Sequence, residues 1–266
     1  MSKPSGNASA RPVALVTGPT SGLGAGFAEK FASLGYDLVL VARDEQKMCA
    51  LAEDMKELFD TDCEILRSDL STASGREEVA LRLGKGVDVL VNNAGFATSG
   101  EFWTVEPELL QAQLDVNVTA VMQLTRAALP AMISSANGTI INVASVAGLL
   151  SGRGPTYSAS KAFVISFSEG LSGGLEGTGV RIQALCPGFI RTELHQRAGI
   201  DMSSIPKPMW LSVDEVVAAS LADLETGKVI SVPGIQYKVL TTLGRLVPKS
   251  LVRRVNNVFG RGRART

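Results

Sequence analysis

VALVTGPTSGLG, Val13 to Gly24, joins an unbroken apolar run to a glycine-rich turn, and its reading decides the fold. Four apolar residues closed by a threonine, VALVT, describe a short strand buried on both faces. An amphipathic helical pattern follows the turn through Leu34. Between strand and helix, Gly18 allows the tight turn, Gly22 lets backbone approach a pyrophosphate, and Gly24 permits close helix–strand packing. The helix N-terminus then points N–H groups at the phosphates. Ser21 and Leu23 lie in the same turn and join these glycines as candidate cofactor contacts. Three residues separate the first two glycines, so the spacing differs from the common GxGxxG turn.

Outward from this stretch the pattern repeats. DLVLVA (Asp37 to Ala42) reads as a second strand, and the acidic, Ala-rich stretch to about Phe59 as a second helix. CEILRSD (from Cys63), VDVLVNNAG (from Val87), GTIINVAS (from Gly138), VRIQALCPG (from Val180) and KVISVP (from Lys228) supply further strands. A long helix is expected over Pro107 to Ile133, with its end disturbed by Pro130. Continuous Val, Ile and Leu runs point to a parallel sheet covered on both faces. The expected fold is α/β: a single doubly wound Rossmann domain of about seven parallel strands with helices on both sides. Residues 1–11, polar and small, read as a disordered leader. The catalytic domain is expected over 12–234, with a cofactor half at about 12–116 and a catalytic and substrate half at about 117–234. Residues 235–266 form a basic amphipathic C-terminal extension.

Composition narrows the function classes. With 266 residues and 45% hydrophobic content, the chain has ample material for one large buried core. Cys49, Cys63 and Cys186 form no CxxC pair and are odd in number, which fits a reducing compartment such as the cytoplasm. The lone histidine, His195, excludes sites built on several imidazoles, and it reads as a surface or substrate-lining residue. No run of eighteen apolar residues occurs. From Ile235 to Thr266 there are eight Lys and Arg residues and no Asp or Glu, leaving 18 basic against 26 acidic residues elsewhere. This tail reads as two apolar stripes separated by Pro248. Val239, Leu240, Leu243, Leu246 and Val247 form the first; Leu251, Val252, Val255, Val258 and Phe259 form the second. The expected arrangement packs the stripes on the protein itself or on a second subunit, with a membrane surface as the alternative partner. Nucleic acid is excluded as a partner, because the tail offers no aromatic stacking platform.

The second strand runs into Val41-Ala42-Arg43-Asp44. An acidic residue at the strand end would hold the ribose hydroxyls of NAD and repel a 2′-phosphate. Here Ala42 takes that position and Arg43 follows, whose guanidinium suits a phosphate monoester. NADP is the expected cofactor, and NAD the alternative if Asp44 is the ribose ligand.

Tyr157 and Lys161 stand four apart in YSASK, with Ser145 twelve residues upstream. A tyrosine serves as a general acid when its pKa falls from about 10 toward neutrality, and a lysine one helical turn away stabilises the phenolate. Together, TGPTSGLG, Asp69 after the third strand, NNAG (Asn92 to Gly95), Asn117, Ser145, YSASK and PGFIRT (Pro187 to Thr192) resemble the short-chain dehydrogenase/reductase superfamily over about Pro12 to Gly234. The resemblance implies a metal-free, nicotinamide-dependent oxidoreductase acting on a small carbonyl or alcohol. It implies that Tyr157 exchanges the proton, Lys161 lowers its pKa and binds the nicotinamide ribose, Ser145 polarises the carbonyl oxygen, and Asn117 positions a water. Asp69 would meet adenine, Asn93 the adenine-side ribose with Ala94 and Gly95 in the same turn, and Thr192 the carboxamide. Pro187, Gly188 and Ile190 would lie along the cofactor.

Leu149, Leu150, Phe96, Ile190, Leu194, Met209 and Trp210 suggest an apolar substrate pocket, partly overlapping the core, under a cover formed by Glu193 to Trp210. A homodimer or homotetramer is expected, although Gly173 and Gly174 weaken the helix that commonly builds the family's interface. The rival class is a nucleotide-binding regulator that no longer catalyses. The intact set of Asn117, Ser145, Tyr157 and Lys161 argues against it.

Overall fold

β1 (Val13–Thr17) is an interior strand of a parallel sheet, hydrogen-bonded to β2 (Asp37–Ala42) on one side and β4 (Val89–Asn92) on the other. The computed structural model describes residues 11–150, 154–190 and 206–246. Within them the sheet has seven strands in the order β3-β2-β1-β4-β5-β6-β9, where β3 is Cys63–Arg67, β5 Gly138–Val143, β6 Val180–Leu185 and β9 Ile230–Ser231. Strand order reverses between β1 and β4. A doubly wound sheet opens its ligand crevice at that point, beyond the C-terminal strand ends. The expected Rossmann architecture is therefore present, and β2 ends at Ala42 as its sequence suggested. A short second sheet pairs β7 (Phe189–Ile190) with β8 (Trp210–Leu211).

Strands buried on both sides account for the unbroken apolar runs. Ala14, Val16, Leu38, Leu40, Val89 and Val91 enter one core, and the intervening Leu15, Val39, Val41 and Leu90 enter the other. Helices α1 (Gly22–Ser33), α2 (Glu45–Phe59) and α8 (Val213–Glu225) cover the first core through Phe27, Met48 and Val216. On the opposite face α3 (Ala73–Leu83), α5 (Val121–Ser134) and α7 (Pro155–Gly174) contribute Val79, Leu124, Met132 and Leu171. Leu171 is partly buried; each of the others, buried, stabilises the fold by roughly 1.5–3 kcal/mol.

Two features differ from the sequence reading. The helix expected over Pro107 to Ile133 is interrupted: α4 (Pro107–Leu114) passes through a π-helical stretch, Asp115–Ala120, before α5 begins. Pro130 sits inside α5 without ending it, because Leu124, Ala128 and Met132 keep that helix face packed. The second difference concerns Gly234, which is not a domain edge. α9 (Ile235–Leu246) follows it directly, and Tyr237 of α9 is built into the main core. The Tyr237 hydroxyl accepts from the Phe189 N–H at 2.9 Å and donates to the Met209 carbonyl. Of the first expected stripe, Val239, Leu240 and Leu243 face outward, while Tyr237 and Thr241 form the buried face. The expected packing of that stripe on the chain's own domain is thus not what α9 does. The Leu246 side chain, Val247, the second stripe and the leader over 1–10 lie outside the described residues. Among the described residues no helix is long and apolar enough to cross a membrane.

Candidate active site

The turn after β1 is held from both sides. Gly18 has φ +64° and its N–H donates to the Val41 carbonyl at 2.8 Å. A Cβ on Gly24 would fall 2.1 Å from the Gly18 carbonyl oxygen, so only glycine lets α1 start this close to the turn. Ser21 is the N-cap of α1 but makes no side-chain cap bond, and the first turn carries no acidic residue. A helix start with no side-chain cap from Ser21 and no acidic residue in its first turn fits a dinucleotide pyrophosphate. Leu23, on the first turn of α1, is buried in the main core.

Across the crevice, the NNAG turn leaves β4. Asn93 was expected at the adenine-side ribose. Its Nδ2 donates to the Thr17 carbonyl at 2.9 Å and the Gly18 carbonyl at 3.0 Å, so the amide also clamps the glycine turn. Thr17, which sequence reasoning passed over, completes the clamp: its Oγ1 accepts from the N–H groups of Asn93 (3.0 Å) and Ala94 (2.9 Å). At the adenine end, Asp69 follows β3 and its Oδ1 accepts from the N–H and hydroxyl of Ser71 at 2.9 and 2.8 Å. Burial alone would raise its carboxyl; the two Ser71 bonds, helped by the Arg43 charge, hold it below the ordinary value. Arg43 is exposed just past the end of β2. Asp44, the alternative ribose ligand, is occupied as the N-cap of α2, where it accepts from the Lys47 N–H at 3.1 Å.

Catalytic candidates converge beyond the ends of β4 and β5. Lys161, on the second turn of α7, is buried, and its Nζ donates to the Val143 carbonyl at 2.7 Å. The same ammonium stands 5.8 Å from the centroid of the Tyr157 ring. Burial lowers the Lys161 pKa to about 8, opposed by the nearby Cys186. Ser145 caps α6 (Val146–Leu149), its Oγ accepting from the Ala147 N–H at 3.1 Å, which leaves its proton for another acceptor. Asn117 lies within the π-helical stretch and is fully buried. Its Oδ1 accepts from the Phe96 N–H at 3.0 Å, while Nδ2 donates to the Phe96 carbonyl at 2.9 Å and to Ser160 Oγ at 3.3 Å. Ser160 in turn donates to the Tyr157 carbonyl at 2.7 Å. A π-helical stretch at a functional site is a recurrent device for re-aiming one side chain.

Two further glycines bring these parts together. A Cβ on Gly95 would lie 3.0 Å from Asn117 Oδ1 and 3.3 Å from Lys161 Nζ, so the cofactor turn rests directly on the catalytic pair. Gly148, which the sequence did not single out, lets α6 touch the α7 backbone: its Cβ would fall 2.6 Å from the Lys161 carbonyl carbon. Pro187 accepts from the Val146 N–H at 3.0 Å, and Gly188 faces the Tyr237 ring. Ile190 is buried and Met209 packs against the same core. Phe96, Leu149 and Leu150 remain partly exposed at the strand ends. Thr192, Leu194 and His195 lie outside the described residues. A buried chain of amides also escaped the sequence reading. Asn92 Nδ2 donates to Asn142 Oδ1 at 2.9 Å, and Asn142 Nδ2 to Ser168 Oγ of α7 at 3.0 Å.

The chain is similar to known proteins in sequence and fold. The family model for short chain dehydrogenases matches residues 12–202. A putative ketoacyl reductase of the granaticin polyketide synthase from Streptomyces violaceoruber is 36% identical, over 71% of this chain and 71% of its own. Among solved structures, a short-chain dehydrogenase from Sphingobium yanoikuyae in complex with NADPH superposes with a TM-score of 0.79 at 35% identity, covering 88% of this chain and 93% of that one. The bulky-bulky ketone specific alcohol dehydrogenase from Comamonas testosteroni gives a TM-score of 0.75 at 30% identity, over 88% and 92%.

Proposed function

Since the chain belongs to the short chain dehydrogenase family and is a nicotinamide-dependent oxidoreductase of carbonyl and alcohol groups, we propose that it acts on an apolar ketone, aldehyde or acyl carbonyl with NADP(H). The carrying observation is Lys161, a buried ammonium 2.7 Å from the Val143 carbonyl and beside the Tyr157 ring. When bound, the nicotinamide supplies or accepts the hydride. In the reducing direction Tyr157 gives its phenolic proton to the carbonyl oxygen, and the Ser145 hydroxyl donates to the same oxygen as charge develops on it. Lys161 makes the tyrosine a better proton donor by stabilising the phenolate left behind. Asn117 fixes Phe96 and, through Ser160, the first turn of α7; a water linking Lys161 to solvent would use acceptors beside it. In the crevice, Asp69 would serve adenine, Asn93, Ala94 and Gly95 the ribose side, and Pro187, Gly188, Ile190 and Thr192 the nicotinamide side.

NADP is favoured over NAD by two observations: Arg43 is exposed at the end of β2, and Asp44 is already committed to capping α2. A homodimer or homotetramer and a cytoplasmic location belong to the same reading, the latter supported by three free cysteines. A silent nucleotide-binding regulator has no observation in its favour. The test is a panel of aldehydes, ketones and acyl thioesters followed by NADPH absorbance. With any active substrate, Tyr157→Phe should lower kcat by at least ~100-fold. NADPH affinity should stay close to wild type, since only a transition-state interaction is lost. Retention of most of the wild-type rate would show that Tyr157 is not the acid.

A further inference from the structure

α9 shows its apolar stripe to the outside. Ile235, Val239, Leu240 and Leu243 are 74%, 51%, 42% and 56% exposed. The opposite face fixes the helix in place. Tyr237 fills the space beside Gly188, Thr241 is buried, and a Cβ on Gly244 would come 2.5 Å from Leu150 Cδ2. Leu150 directly follows α6, the helix that Ser145 caps. The stripe is therefore a fixed shelf beside the catalytic residues, at the C-terminal ends of the strands. Phe102 and Trp103, 52% and 80% exposed, stand in the connection that leaves the same end of the sheet after β4.

Charge selects the occupant of this shelf. Lys238 and Arg245 belong to α9, and the sequence continues with Lys249, Arg253, Arg254, Arg261, Arg263 and Arg265. No Asp or Glu occurs from Ile235 onward. Two copies of α9 stripe to stripe, or α9 against residues 247–266, would gather cations with no carboxylate from these stretches among them, Asp223 of the body facing Lys238 alone. An anionic lipid surface supplies the counter-charge and receives the stripe at its acyl boundary. The excess of acidic residues in the rest of the chain turns the body away from such a surface and leaves α9 facing it. We propose that α9 docks this protein on an anionic lipid surface, with the strand-end rim of the active site turned toward the bilayer.

The experiment is co-sedimentation of the full chain with vesicles, either phosphatidylcholine alone or an equimolar mixture with phosphatidylglycerol, alongside light scattering without lipid. The full chain should pellet with the mixed vesicles and stay in solution with phosphatidylcholine alone. Raising salt to about 1 M, where charges are screened within about 3 Å, should release it. The doubly substituted Val239→Ser, Leu243→Ser protein changes only exposed positions. It should keep its melting temperature and its NADPH oxidation rate with a water-soluble ketone, while vesicle affinity falls at least about tenfold, as expected for withdrawing two apolar side chains from the acyl boundary. Three results would each overturn the proposal. One is a full chain that does not bind the mixed vesicles. Another is a double variant that binds them as wild type does, which would assign binding to the arginines alone. The third is a wild-type oligomer that the double variant dissociates, which would make the shelf an interface between copies. A variant with a lowered melting temperature is replaced by Leu240→Gln, judged by the same outcomes.

Discussion

Replacing Lys161 by Met should alter stability in a way that depends on pH. The folded protein depresses this lysine from 10.5 to about 8, chiefly by burial. At 1.36 kcal/mol per unit, burying the ammonium costs the fold about 3 kcal/mol wherever both states keep the proton, which is below pH 8. Between pH 8 and 10.5 the folded chain has released that proton while the unfolded chain still holds it, so the penalty disappears as pH rises. Lys161→Met removes the penalty at every pH. It also leaves the Val143 carbonyl without its amine partner, a pH-independent loss of about 1–3 kcal/mol. At pH 7 the two effects nearly cancel, and the variant should match or slightly exceed wild type. By pH 10 wild type should have gained about 2–3 kcal/mol on the variant. Urea unfolding of both cofactor-free proteins at the two pH values, followed by far-ultraviolet circular dichroism, measures the difference directly. A wild-type minus variant difference that stays constant from pH 7 to pH 10 would refute the argument, because Lys161 would then titrate alike in both states.

Arg43→Ala should weaken NADPH binding about ten- to a hundredfold, the value of one charged hydrogen bond, and leave NADH almost unchanged; equal losses in fluorescence titrations would refute the preference. Gly188→Ala places a Cβ 1.9 Å from Tyr237 Cζ, and overpacking of this kind costs about 1–3 kcal/mol, readable as a lower melting temperature. Adding Tyr237→Leu should return part of that loss, and strictly additive effects in the double-mutant cycle would show that the two residues do not share the space.

What the sequence revealed was local. VALVT, the glycine turn and the end of β2 at Ala42 could be read directly, because a buried strand and a positive-φ turn leave marks on composition. The π-helical stretch at Asp115–Ala120 leaves none, whereas Pro130 is conspicuous yet tolerated by packing. The start of α8 was readable in principle, since Ser212 and Glu215 form a capping box with the usual three-residue spacing. Roles that depend on distant partners were hidden. The second task of Asn93, clamping the glycine turn, shows only once the Thr17 and Gly18 carbonyls are placed beside it. Tyr237 looks like part of a tail until Phe189, 48 residues earlier, is found donating to it. The amphipathic pattern of α9 announced a helix with two unlike faces but did not say which one the core would take. Tyr237 and Thr241 decided that.

Thr17 meets Asn93 and Ala94 across 76 and 77 residues. The nucleotide crevice therefore cannot exist while only the first three strands have formed, although β1, its glycine turn and α1 are made first. It appears when β4 inserts beside β1, a long-range pairing of the kind that comes slowly in folding. A dinucleotide has nothing to grip in any intermediate that lacks this pairing. Its binding energy acts on the finished protein alone, holding β1 and β4 together, so it should lengthen the lifetime of the native state without hastening its birth.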